Sequence, residues 1–182
     1  MILVTGALVV CGLVLLLMII HYNRLVASRN LVQTAFSDID VHLTKRFHLV
    51  PNLVQLTKSY AAYESDLLLK IVQKRAGKQN ENDAETAQND AQLSRSLQQL
   101  KLTVEGYPDL KANDQFGQLM EELTQIEDHL SYARRFYNGT TREYNKRVQS
   151  FPSNIVAGLF GFRNTAFYEV GDPQERNVPT YE

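Results

Sequence analysis

Apolar side chains open the chain and run without a charge from Met1 to Ile20. A helix needs about 20 mostly apolar residues to cross a bilayer core of ~30 Å, and no other stretch of the chain has that character. No Lys or Arg precedes the run. Its end, Leu17-Met18-Ile19-Ile20, offers no small residues to a signal peptidase. The pattern therefore predicts an uncleaved transmembrane anchor over residues 1–20 rather than a removable signal.

Beyond it the apolar residues fall into stripes. Leu25, Val32, Phe36, Ile39, Leu43, Phe47 and Val50 recur at helical steps, with no Gly or Pro until Pro51. The membrane helix is thus expected to continue into the polar part without a loop. Pro51 lacks a backbone N–H and disfavours helical geometry at Val50, so the helix either kinks or reverses there. A further stripe follows: Leu53, Leu56, Tyr60, Leu67 and Ile71. The longest one joins Phe116, Leu119, Leu123, Ile126, Leu130, Ala133, Tyr137, Thr140, Tyr144 and Val148. Its alternating steps of three and four mark a long, coiled-coil-like helix packed at a shallow angle.

Residues 77–90 contain nothing apolar larger than Ala and carry a net charge of −3, which predicts a solvated linker. Leu93, Leu97, Leu100 and Val104 then share one helix face, and Gly106-Tyr107-Pro108-Asp109 reads as a turn. The expected helices cover roughly 21–49, 52–76, 88–105 and 109–150. The fold class is all-α: a transmembrane helix continuing into an up-and-down bundle of four helices over 21–150, with three long segments if 21–76 stays in one piece. Residues 151–162 form an apolar C-terminal segment too short to span a membrane, and 163–182 a polar tail, extended or disordered.

Composition removes several function classes. A net charge of −1 argues against a nucleic-acid binder, and Tyr137 and Tyr144 lie on the apolar stripe rather than interleaving with a basic surface. Cys11 is the only cysteine, so no intramolecular disulfide forms. It sits inside the apolar run, a poor place for a thiolate nucleophile, and bulky Val10 before it does not suit a lipidation site. A di-iron bundle needs Glu-x-x-His pairs, but Ile39, Lys45 and Ile126 stand three residues before His42, His48 and His129. No nucleophile elbow, phosphate loop or zinc spacing occurs. The acidic pairs Glu121-Glu122 and Glu127-Asp128, with Asp38 and Asp40, read as solvated helix faces. The expectation is a protein without catalytic residues, metal or cofactor.

Charge placement is more informative. Arg24 and Arg29 follow the apolar run before the first acid, Asp38. The positive-inside rule then puts the N-terminus outside and the rest in the cytoplasm. The last long helix begins acidic and ends basic. If it runs back toward the membrane, Arg142, Lys146 and Arg147 come near Arg24 and Arg29, where anionic lipids attract each by about 1 kcal/mol. The apolar segment would arrive at the same height. Ile155, Val156, Leu159, Phe160 and Phe162 are the candidate contacts with the bilayer or with a second copy, the alternative being that the segment caps the open end of the bundle. Exchanging Leu159 and Phe160 for Asp should then disperse any assembly.

Several strings match a known pattern. They include Tyr22-Asn23-Arg24-Leu25-Val26, Asp38-Ile39-Asp40-Val41, Arg46-Phe47-His48-Leu49-Val50-Pro51-Asn52-Leu53-Val54 and Tyr107-Pro108-Asp109-Leu110-Lys111-Ala112-Asn113. Further on come Glu121-Glu122-Leu123, Tyr132-Ala133-Arg134-Arg135-Phe136-Tyr137-Asn138, Glu143-Tyr144-Asn145 and the stretch from Ser150-Phe151-Pro152-Ser153-Asn154 to Gly161-Phe162. Over most of 22–162 the chain resembles the LemA family of bacterial membrane proteins, departing at Phe36, where that family is associated with Trp. The resemblance implies a bacterial cell-membrane protein with an outside N-terminus and a helical cytoplasmic domain. It carries over no catalytic residue. Two roles remain open: a self-associating, membrane-anchored scaffold, or an adaptor for a membrane protein partner such as a protease. The expected partners are the bilayer, further copies of the chain in a homo-oligomer, and in the second role that membrane protein, with no nucleic acid.

Overall fold

The computed structural model describes residues 1–61, 64–76 and 83–168. Among these the fold is all-α, with six helices: α1 (Ile2–Tyr60), α2 (Ser65–Ala76), α3 (Asp83–Val104), α4 (Pro108–Lys111), α5 (Asp114–Gln149) and α6 (Ser153–Phe160). The chain forms two compact units. Among the described residues, one joins 1–38 to 133–167, and the other joins those of 39–132 to Tyr168.

Helix α1 passes from the uncharged run into the polar sequence without a break, as the stripes predict. Its side chains change character at the same point. From Leu3 to Ile20 the large apolar groups are exposed apart from half-buried Met18, whereas Leu25, Val32 and Ala35 are buried. A helix apolar on all sides suits lipid, where intrahelical bonds satisfy every backbone group. Ser28, buried on the same stripe, hydrogen-bonds the Arg24 carbonyl at 2.7 Å.

The chain does not reverse at Pro51, because the helix continues through it to Tyr60. Leu49, Val50 and Leu53 are buried on both sides of the proline. Packing of this apolar face outweighs the lost hydrogen bond. The chain leaves the helix instead at Ala61, whose N–H still reaches the Thr57 carbonyl at 2.8 Å.

In the second unit α2 packs on α3, burying Leu67, Leu68 and Ile71 on one helix and Leu93, Leu97 and Leu100 on the other. Helix α3 begins at Asp83, so the second half of the expected linker is helical. Ala87 and Asp90 are buried there, and residues 77–82 lie outside the described residues. The expected start of the long helix at Asp109 also moves. Pro108 opens the short α4, and α5 begins only at Asp114. Asn113 sets that start: its Oδ1 accepts the Phe116 N–H at 3.0 Å, an N-cap bond that satisfies one donor of the first turn.

In the first unit α5 buries Ala133, Tyr137, Thr141 and Tyr144, and Tyr137 meets the Phe36 ring at 5.7 Å. Helix α6 ends at Gly161, whose φ of 72° is left-handed, while the Phe162 N–H bonds the Ala157 carbonyl at 2.9 Å. Glycine reaches that conformation without a Cβ penalty. Gly161→Ala is expected to cost about 1 kcal/mol, read as a lower urea midpoint for the full chain in detergent. Residues 163–168 are irregular yet ordered. Asn145 holds Thr165 by two 2.8 Å bonds, donating to its carbonyl and accepting its N–H. Tyr137 donates to the Ala166 carbonyl at 3.1 Å. The first part of the expected polar tail is fastened to α5 at Thr165 and Ala166, and the rest, 169–182, lies outside the described residues.

Candidate functional site at the end of the apolar run

The uncharged part of α1 is long and apolar enough to cross a membrane by length and composition. The residues that follow it gather most of the predicted site. Tyr22 lies two positions past Ile20. Its ring packs against Phe160 at 4.8 Å and Phe162 at 5.7 Å. Helix α6 is thereby held beside the first turn after the apolar run. Arg29 lies over the Phe162 ring at 6.0 Å, a cation–π contact that uses its charge locally.

The five apolar candidates separate by burial. Val156 and Phe162 are buried in the unit and face its interior. Ile155, Leu159 and Phe160 remain 55%, 66% and 55% exposed. Phe151 and Phe167 are exposed as well. A short helix thus turns large apolar groups outward beside the end of a membrane-length helix. Isolated exposed apolar residues are ordinary, but a contiguous group marks a contact surface.

The five basic candidates also separate. Arg24, Lys146 and Arg147 line one open cleft of about 510 Å³ together with His21. Ser150 and Ser153 add hydroxyls to it, and Glu143 is its one carboxylate. Arg147 is braced by hydrogen bonds from its guanidinium to the Ser28 hydroxyl and, at 3.4 Å, to the Arg24 carbonyl. Arg142 lines a neighbouring groove with Ala27, Leu31 and Gly139, and Arg29 is on Phe162. Burial raises the Tyr144 phenol above its ordinary pKa, while the Arg29 charge opposes that shift.

A second polar cluster, in the other unit, escaped the sequence reading. Arg46 is 2% exposed and Asp90 4%. The guanidinium pairs with the Asp90 carboxylate and, at 2.7 Å, with Glu127. Ser94 accepts a 2.8 Å bond from Arg46 and donates to Glu127 at 3.1 Å. The Tyr168 hydroxyl donates to Asp90 at 2.9 Å. Burial is the largest influence on Arg46 and would lower its pKa, but the charges and hydrogen bonds of Asp90 and Glu127 together outweigh it and raise the value. Such a closed network locks a core. The signal was present: Arg46 interrupts the stripe three residues after Leu43 and four before Val50. Asp90 falls in the expected linker, whose polar sequence carries no sign of a buried partner.

His42 and His129 stack in parallel at 5.0 Å. Among the described residues no group of three His, Cys, Asp or Glu side chains is arranged to hold a metal.

Residues 35–182 match the family model described as the LemA family. The chain belongs to the LemA family. The match takes in α6 and the basic end of α5, and starts after the apolar run. "Protein LemA" of Metamycoplasma hominis is 26% identical over 162 residues, covering 88% of this chain and 74% of the relative. "Magnetosome protein MamQ 2" of Paramagnetospirillum magneticum is 25% identical over 179 residues, covering 84% of this chain. MamQ of Magnetospirillum gryphiswaldense is 24% identical over 178 residues, covering 83%. The chain spans 66% and 65% of the length of these two magnetosome proteins. None of the three names denotes an enzyme. Family membership and the apolar helix together mark a membrane-associated protein.

Proposed function

We propose that this LemA-family protein is a membrane-anchored, non-catalytic scaffold that assembles with copies of itself at the cytoplasmic face of a bacterial membrane. Residues 2–20 of α1 cross the bilayer with the N-terminus outside. Helix α6 lies at the surface and joins one copy to the next. The observation that carries the reading is the exposed row of Ile155, Leu159 and Phe160, held beside Tyr22 at the end of the apolar run. Apolar side chains at this height are stabilised by burial, each by about 1.5–3 kcal/mol when fully covered. The arginines just past the run support the orientation.

The test is the mass of the full chain, extracted in mild detergent and measured by light scattering, with electron micrographs of the same sample. A large homo-oligomer of defined form is the expected result. A monomer at all concentrations sinks the scaffold and leaves the adaptor role, in which the bundle meets a different membrane protein.

A further inference from the structure

We propose that the cleft lined by His21, Arg24, Lys146, Arg147, Ser150 and Ser153 binds the phosphate of a dianionic lipid headgroup. The inference rests on the reading that residues 2–20 cross the bilayer. His21 is the first residue after the apolar run, so the cleft opens at the depth where lipid phosphates lie. Its cations come from two helices that the fold brings together, one turn of α1 and the last turn of α5.

Among the described residues this charge has no ion-pair partner: no carboxylate lies within ion-pair distance of Arg24, Lys146 or Arg147. Three cations face one carboxylate, Glu143. That balance favours a ligand with two negative charges, a phosphomonoester or a paired phosphodiester, over one with a single charge. The geometry agrees. Arg147 is fixed through one guanidinium nitrogen by Ser28 and the Arg24 carbonyl, which leaves the other side of its fork for a phosphate. Lys146 and Arg24 are exposed chains that reach toward an interface. The two serine hydroxyls supply neutral donors, and the volume of about 510 Å³ accommodates a headgroup rather than a single ion. The Arg142 groove nearby has a more apolar lining, with Ala27, Leu31 and Phe136.

The full chain in neutral detergent is mixed with short-chain phosphatidic acid, phosphatidylglycerol, phosphatidylcholine or inorganic phosphate, and bound species are counted by native mass spectrometry. Phosphatidic acid should be retained most and phosphatidylcholine least. The pair Arg24→Gln and Lys146→Gln should weaken phosphatidic acid binding by about tenfold or more. The pair Arg135→Gln and Arg142→Gln removes the same charge outside the cleft and should retain binding. Equal loss in both pairs, or no preference among the lipids, overturns the proposal. Retention of inorganic phosphate as strong as that of the lipid overturns the lipid assignment. Alkaline carbonate washing of membranes that contain the full chain separates the underlying reading: release sinks both the membrane crossing and the cleft. Resistance with no lipid preference sinks the cleft alone.

Discussion

Arg46→Met is expected to lower the unfolding free energy by about 3–5 kcal/mol, the range for removing one partner of a buried ion pair. The substitution keeps most of the side chain's volume, so the loss is electrostatic. Asp90 is left buried without the opposing guanidinium, still accepting a hydrogen bond from the Tyr168 hydroxyl. Glu127 suffers less, because its side chain is 28% exposed and water can reach it. The measurement is a urea titration of the full chain in detergent, followed by circular dichroism. Asp90→Asn should cost less than Arg46→Met. It leaves the arginine paired with Glu127 and keeps an oxygen for Tyr168. A combined Arg46→Met and Asp90→Leu variant should recover much of the loss, since replacing both charges with apolar groups removes the desolvation cost. A single Arg46→Met variant within about 1 kcal/mol of the native chain would show that the network contributes little to stability.

That network also marks the limit of reading this fold from its sequence. The long stripes were legible because burial in a helix repeats every three or four residues, and Leu123, Ile126, Leu130, Ala133, Tyr137 and Tyr144 obey it. The passage from apolar run to polar helix was legible for the same reason. Pro51 does not end the helix, because local propensity is a weak force beside the burial of Leu49, Val50 and Leu53. The first turns of α3 were read as linker because small residues and a single buried acid carry no apolar signal, although Ala87 and Asp90 face inward. Val156 and Phe162 could not be separated from Ile155 and Leu159 until α6 had a direction. That direction depends on Tyr22, far away in sequence, packing on Phe160 and Phe162. The basic residues expected to meet at the end of the apolar run could be named individually. Their division into a cleft, a groove and a ring contact required the placement of α5 beside α1.

Ile155→Asp with Leu159→Asp should have the second large effect, on assembly rather than on the fold. The two residues lie four apart on the same exposed face of α6, and neither forms part of the core. They form a cleaner pair than Leu159 with Phe160, because Phe160 also stacks against Tyr22. Helicity and the urea midpoint should therefore stay near native values. Covering the two side chains contributes about 2–4 kcal/mol of apolar burial, which corresponds to a ~30- to ~1,000-fold weaker contact between copies. Light scattering of the detergent-extracted chain should then show small species where the native chain is large. The chain has no tryptophan, so Leu159→Trp supplies a single reporter for what covers this face. Contact with a second copy gives blue-shifted emission that brominated lipids do not quench. Contact with the bilayer gives blue-shifted emission that they do. If the Asp pair leaves the assembly intact and the reporter responds to brominated lipid, α6 holds the protein to the membrane surface and the copies meet elsewhere. If the reporter emits as a fully hydrated indole in both preparations, α6 has no docking role, and its outward apolar face must be explained without one.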